Sequence, residues 1–398
     1  MNIRHATALA FALVLQLSGC GGGGGIGGTG ITQGTMRVSI TDAPACGYDH
    51  VYITVDKVRV HQSANAGDND AGWSDIVLAP PQRIDLLGLT NGVMEELGQT
   101  ALPAGKYTQM RLVLATNGSG TPPANSVVLT GGGEKALDTP SAQQSGIKLN
   151  ADIDVPAGKE VDVLLDFDAC KSIVKAGNSG KYLLKPVIAV TTLLSDAGLR
   201  VSGNVGPAIV GPATSVSVQS DSAVVVKATT PAADGSFLLR PVPAGNYNLV
   251  VTSAGHVTAV MTGVPVVAAA PTVVSSASAP IAPAAAASAA ASVTGVVTPV
   301  PVTATVRALQ TLTGGPTVEV AFTPVDVDLG TFSFLLPVSA PQRTAYALNP
   351  VVITLTSDAA PAVAGKYTLE ATSAGTTKPP LPVDVNVQPV PPVTFTFP

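Results

Sequence analysis

Residues 244–255 read "AGNYNLVVTSAG", and residues 364–375 repeat them as "AGKYTLEATSAG". In each copy a glycine precedes the tyrosine, which suits a tight turn, and the alternation that follows is that of a strand. Tyr247, Leu249 and Val251 are expected on one strand face, as are Tyr367, Leu369 and Ala371. Before each copy, "VSGNV" at 201–205 returns as "VTGVV" at 293–297, and "GSF" at 235–237 returns as "GTF" at 330–332. The three signals keep their order, with extra residues between the second and third in the later copy, so the second half reads as two homologous modules. "PAGKYTQMRLVL" at 103–114 echoes the signature, but there Met110, Leu112 and Leu114 form the apolar row, out of phase with Tyr107. A β-bulge would reconcile the two.

The first half carries strands of its own. "MRVSITDAP", "VYITVDKVRVH", "YTQMRLVL", "EVDVLLDF" and "YLLKPVIAV" are β-branched and alternating, with Gly, Pro, Asn and Asp clusters between them. "VMEEL" at 93–97 breaks the alternation and predicts a short helix near Gly92 to Gly98. A hydrophobic content of 46% excludes wholesale disorder, while 40 Gly and 33 Pro favour many short strands. The fold class is all-β, built as several β-sandwiches, and each repeated tyrosine is expected to close a core edge as a tyrosine corner does. Residues 1–199 hold 32 of the 47 charged side chains, so the two halves are different kinds of domain. "APIAPAAAASAAAS" at 279–292 is almost wholly Ala, Pro and Ser and reads as a linker, its prolines interrupting any spanning helix.

The N-terminus gives an address. Arg4 followed by the uncharged run Ala6 to Leu17 has the pattern of an export signal, too short to span a bilayer as a mature helix. Leu17, Ser18, Gly19 and Cys20 resemble the bacterial lipobox, which implies cleavage after residue 19 and acylation of Cys20. Two or three acyl chains give stable membrane anchoring where one does not. Gly21 in place of Asp implies, by analogy with lipoprotein sorting, the outer membrane of a Gram-negative bacterium, on its periplasmic or surface face, and the glycines after it form a flexible tether. The net charge of −5, becoming −6 without Arg4, offers no basic field for nucleic acid.

"VSITDAPACGYDHVYITVDKVRVH", "GWSDIVL", "RIDLLGLTNG", "LPAGKYTQMRLVL" and "LDFDACKSIVKAGNSGKYLLKPV" resemble the bacterial lipoprotein family called domain of unknown function 4382, over about residues 35–195. That family implies no activity. "DGSFLLRPVPAGNYNLVVTSAGH" at 234–256 resembles carboxypeptidase regulatory-like modules, which implies a prealbumin-like sandwich, a fold often grouped with carbohydrate-binding ones. Fold analogy alone does not establish sugar binding. The expected organisation is a signal peptide at 1–19, a lipidated tether at 20–34, a family β domain at 35–197, a sandwich at 198–278, the linker at 279–292 and a second sandwich at 293–398.

Few residues suggest chemistry. With Cys20 acylated, Cys46 and Cys170 remain as an even pair in an oxidising compartment. A disulfide between them would contribute about 4 to 5 kcal/mol in the chain-entropy model; the alternative is two buried thiols. The bond would gather Asp42, Asp49, Asp166 and Asp168, hard oxygen ligands suited to calcium, although aspartates also cap turns without any metal. An EF-hand loop from Asp68 fails because Ala79 stands where Glu is needed. His50, His61 and His256 are scattered, and neither HExxH nor GxSxG occurs. Glu95 and Glu96 are adjacent and point apart, which does not make a glycosidase pair. Trp73 is the best ligand-binding aromatic, against the alternative that it packs inward. The expectation is a non-enzymatic outer-membrane lipoprotein acting as an envelope-associated binding or adhesion scaffold, with an envelope protein or polysaccharide as partner. Carbohydrate recognition by a prealbumin-like module and calcium-dependent structural assembly are the alternatives.

Overall fold

The computed structural model describes residues 32–42, 47–140, 145–177, 179–193 and 199–398. The export signal, Leu17, Ser18, Gly19, Cys20, the glycines and Cys46 lie outside the described residues. The remainder is nearly all β, in separate sheets with three main apolar cores.

In the first unit, Met36, Val38 and Ile40 are fully buried on one face of strand Gln33–Asp42, as their alternation demands. That strand pairs parallel with Glu160–Phe167 and antiparallel with Glu95–Pro103, and Ile188–Leu193 completes a four-stranded sheet. The facing sheet is built on Tyr48–His61, which pairs with Ser74–Asp85, Gly105–Leu114 and Ser126–Leu129. Its Ile53, Val55 and Leu112 meet the first sheet in a common core. The expected bulge is present: the register of Gly105–Leu114 shifts between Tyr107 and Gln109, which lets Tyr107 and Met110 both be buried. The helix expected near Gly92 to Gly98 is absent. A turn occupies its start, and Glu95 to Leu97 begin strand Glu95–Pro103, where Leu97 is buried on the sheet.

The repeat is legible in the second and third units. In each, the first signal forms a central strand, Val201–Asn204 or Ala291–Thr298, and the second forms its antiparallel neighbour, Ser236–Leu239 or Thr331–Leu336. A parallel strand, Thr272–Val273 or Val393–Thr396, closes the other side. The register explains why these two signals travel together: Gly203 lies opposite Phe237 and Gly295 opposite Phe332, so each glycine makes room for a ring. The tyrosine signal lies on the facing sheet. Tyr107 and Tyr247 donate their hydroxyls to the carbonyls of Pro103 and Pro243, four residues back, each at 2.9 Å. Residue 363 is Val in the third unit, and Tyr367 donates instead to Pro337 O at 2.6 Å.

Two boundaries differ from the sequence expectation. The stretch 279–292 is seated on the second unit over its first part and begins the third unit's strand Ala291–Thr298 at its end: Ile281 enters the second core and bridges Val205, and Ala285 bridges His256. Small side chains and prolines allow close packing without helix, and composition alone does not distinguish that from a linker. The extra residues of the third module also cross over. Strand Gln342–Ala345 pairs parallel with Ala259–Val266 of the second unit, and Tyr346, Ile353 and Leu355 pack on its core.

Candidate functional site

Five clefts are lined by residues of different units rather than by one unit alone. The smallest, about 200 Å³, lies where all three meet, with Asp168 and Lys171 from the first, Gln219 and Thr252 from the second, and Glu319 and Phe322 from the third.

The surrounding contacts are reciprocal. Gln219 Nε2 donates to Glu319 O at 2.9 Å while Glu319 N donates to Gln219 Oε1 at 2.8 Å, so one buried amide extends the hydrogen bonding of a sheet edge across a unit boundary. Asn91, at φ 57°, donates its N–H to Thr229 Oγ1 at 2.7 Å and accepts from Leu238 N at 2.6 Å. Arg240 donates to Gly92 O at 2.9 Å. Between the first and third units, Gly177 N donates to Asp326 Oδ1 at 3.1 Å and Val327 N to Lys175 O at 3.2 Å. Val250 and Val260 of the second unit form a small apolar cluster with Leu312 and Val318 of the third.

Charge is buried here. Lys227 Nζ lies 2.6 Å from Asp166 Oδ1, the two side chains 4% and 19% exposed. Burial pushes the Asp166 carboxyl above the ordinary carboxylate range, with Lys227 pulling it back. Burial likewise raises Glu319, opposed by Lys171 and Arg307. The Lys171 ammonium sits 4.9 Å from the Phe322 ring.

The structure does not assemble the four aspartates into a metal site. Asp42 Oδ1 accepts from Ala169 N at 2.9 Å, Asp49 accepts from Thr130 Oγ1 at 2.9 Å, Asp166 faces Lys227, and Asp168 caps residues Ala169–Ser172 by accepting from Lys171 N. Among the described residues no group of three or more His, Cys, Asp or Glu converges on a common point. The reason is strand geometry together with local capping, which gives each carboxylate its own partner. Cys170 is not a free thiol, and its expected partner Cys46 lies outside the described residues.

Trp73 is half-buried and serves the loop before it. Its Nε1 donates to Gly67 O at 2.9 Å, and the guanidinium carbons of Arg59 and Arg111 both lie 4.8 Å from the ring centre. Arg111, 5% exposed, also donates to Ala66 O at 3.0 Å and Ser145 O at 2.9 Å and pairs with Asp68. Arg111→Ala should therefore cost about 2 to 3 kcal/mol through lost charge-assisted hydrogen bonds and open residues 63–72 to limited proteolysis. A loop as resistant as the wild type would remove Arg111 from this role.

Sequence reasoning missed Asn91, Gln219, Lys227 and Glu319. Lys227 did leave a signal, a lone cation in the apolar run "VVVKATT" within a half that has only 15 charged residues. A charge in such a run needs a partner.

The first unit has known relatives by sequence. Residues 33–186 match the family model of a domain of unknown function (DUF4382). That match takes in the aspartates, Cys170 and the first unit's part of the junction. No curated protein matches the chain. Among solved structures, two type II cohesin-X-dockerin complexes from Acetivibrio cellulolyticus, an N-terminal and a C-terminal interface mutant, align at TM-scores of 0.20 and 0.19. Their identities are 23% and 25%; each alignment covers 22% of this chain and 59% or 58% of the other. The Bacillus anthracis TIE protein aligns at a TM-score of 0.17 and 11% identity, over 92% of this chain and 50% of that one. TM-scores this low assign neither fold nor partner.

Proposed function

We propose that the chain is a non-catalytic, lipid-anchored scaffold of the bacterial outer membrane, held through Cys20 and presenting a three-unit β body for binding or adhesion. The interlock of the units carries this reading: Asn91 and Gln219 join separately cored units by reciprocal hydrogen bonds, and the Asp166–Lys227 pair adds a buried charge contact. Such contacts suit a body that holds surfaces at fixed relative positions. The lipobox resemblance at Leu17 to Cys20 supports the anchor, and a Cys46–Cys170 disulfide would tie the start of the first unit to its junction edge. The carboxypeptidase regulatory-like resemblance of residues 234–256 supports reading the later units as sandwich modules, with an envelope protein or polysaccharide as partner.

In cells, Cys20→Ser is expected to move the protein from the membrane fraction to the soluble fraction, and globomycin to leave the precursor unprocessed. Membrane retention of the variant would overturn the anchor. For the purified chain, thermal unfolding against a panel of envelope and plant polysaccharides, calcium and EDTA reads selective binding to the folded state. A saturable rise with one polysaccharide supports the binding role. A loss of stability in EDTA restored by calcium would favour the assembly reading, and turnover of an ester, peptide or glycoside substrate abolished by one substitution would overturn the non-catalytic one.

A further inference from the structure

We propose that Lys227 and Asp166 are the reacting pair of an intramolecular isopeptide cross-link, an amide between the Lys227 Nζ and the Asp166 Cγ that joins the second unit covalently to the first. Three observations meet at this pair. Nζ and Oδ1 are 2.6 Å apart, in a contact too poorly angled for a good hydrogen bond, and neither atom has a third partner. An ammonium held there for its charge would be expected to aim its N–H groups at the carboxylate and to find further acceptors, because two ions taken out of water recover their hydration only through good hydrogen bonds.

Both side chains are fixed at their roots. Asp166 projects from Glu160–Phe167, an inner strand, where it is paired with Thr41 on one side and Ala189 on the other. Leu164, two residues earlier on the same face, is fully buried, so that face is covered. Lys227 lies on strand Val225–Thr229, paired with Val218, and two residues on Thr229 is clamped by Asn91 of the first unit. Proximity imposed by two hydrogen-bonded ladders is the condition under which a bimolecular step becomes effectively unimolecular.

The chemistry balances within the pair. The lysine amine is the nucleophile, as in other covalent lysine chemistry. A bond forms between Nζ and Cγ, one Cγ–Oδ bond breaks, and that oxygen leaves as water with two of the three protons that the ammonium carried. An ammonium and a carboxylate thus become one neutral amide, with no oxidant, metal or co-reactant. The change removes two charges from a site where burial already disfavours the Asp166 carboxylate, with Asp168 adding to that effect and Lys171 opposing it.

Peptide mass mapping of the purified full-length protein, after reduction to free Cys170, tests this. After trypsin, the expected result is a branched peptide joining the segments that contain Asp166 and Lys227, lighter than the sum of its linear parts by one water, with no cleavage after Lys227. Lys227→Arg keeps a cation but cannot form this bond at neutral pH, and should yield only linear peptides. Wild-type peptides that end at Lys227, together with an Asp166 peptide at its unmodified mass, overturn the proposal, and this readout does not depend on whether any variant folds.

Discussion

Gly295→Ala is expected to destabilise the third unit by about 3 kcal/mol or more, toward or beyond the upper end of the usual cost of overpacking. A Cβ at residue 295 would stand 2.2 Å from Phe332 Cζ and 2.3 Å from Val393 O. The ring could swing aside, but the carbonyl belongs to the parallel strand paired with residue 295, and moving it loosens the pairing that closes the sheet. The equivalent substitution in the second unit should be milder. There the new Cβ would meet Ser275 Oγ at 2.3 Å, Phe237 Cζ at 2.7 Å and Val274 Cγ2 at 2.9 Å, all side-chain atoms, so that yielding costs the Ser275 hydroxyl its two hydrogen bonds to Asn204 but shifts no paired strand. Urea unfolding of Gly203→Ala and Gly295→Ala in the full chain would compare the two sites. Equal losses would mean that the backbone contact at Val393 does not matter. Phe332→Leu added to Gly295→Ala should restore only the part of the loss that comes from the ring.

These glycines also show why the fold could be read so far and no further. "VSGNV" with "GSF" recurs as "VTGVV" with "GTF" because a glycine on one strand and a ring on the next are a single cross-strand contact, and a contact within one unit leaves a pattern that repeats with the unit. The bulge at Tyr107 was legible for a similar reason, since the tyrosine and the row Met110, Leu112, Leu114 could not otherwise share a core. Contacts between units leave no such trace. Asn91 looks like any turn asparagine, and Gln219 like any polar residue ending a strand, until Thr229 or Glu319 is brought alongside by the docking of another unit. The aspartates failed in the opposite way. Asp42 and Asp49 lie beside one cysteine and Asp166 and Asp168 beside another, but nearness to a cysteine cannot say that one faces Lys227, one caps a short helix and the others bond Ala169 and Thr130. Residues 342–357 were visible as an insertion, and only the pairing with Ala259–Val266 shows that they complete another unit's sheet.

Tyr367→Ala should cost about 3 to 5 kcal/mol, the range for deleting a buried aromatic side chain, whereas Tyr247→Ala should cost clearly less. The two residues hold the same place in the repeat, but Tyr367 is only 3% exposed within the third core, while Tyr247 is half-buried and lines a cleft between units. The difference follows from where each hydroxyl goes, to Pro337 across the unit or to Pro243 beside it. Alkaline unfolding provides a second measurement. Burial raises the Tyr367 hydroxyl, with Gln310 opposing, and burial with a smaller effect of Tyr182 pushes Tyr48 up to about 12. In the unfolded chain both titrate near their ordinary value of about 10. The folded state therefore holds protons that the unfolded state has released, and the stability present below about pH 10 is lost as pH rises toward and through the folded values. Thermal midpoints measured from pH 8 to pH 12 should fall above pH 10 in the wild type, and less steeply in Tyr48→Phe if that variant keeps its packing. A wild-type midpoint unchanged to pH 12 would mean that neither hydroxyl is shielded in solution as it is in the structure, and the asymmetry argued for Tyr367 would lose its basis.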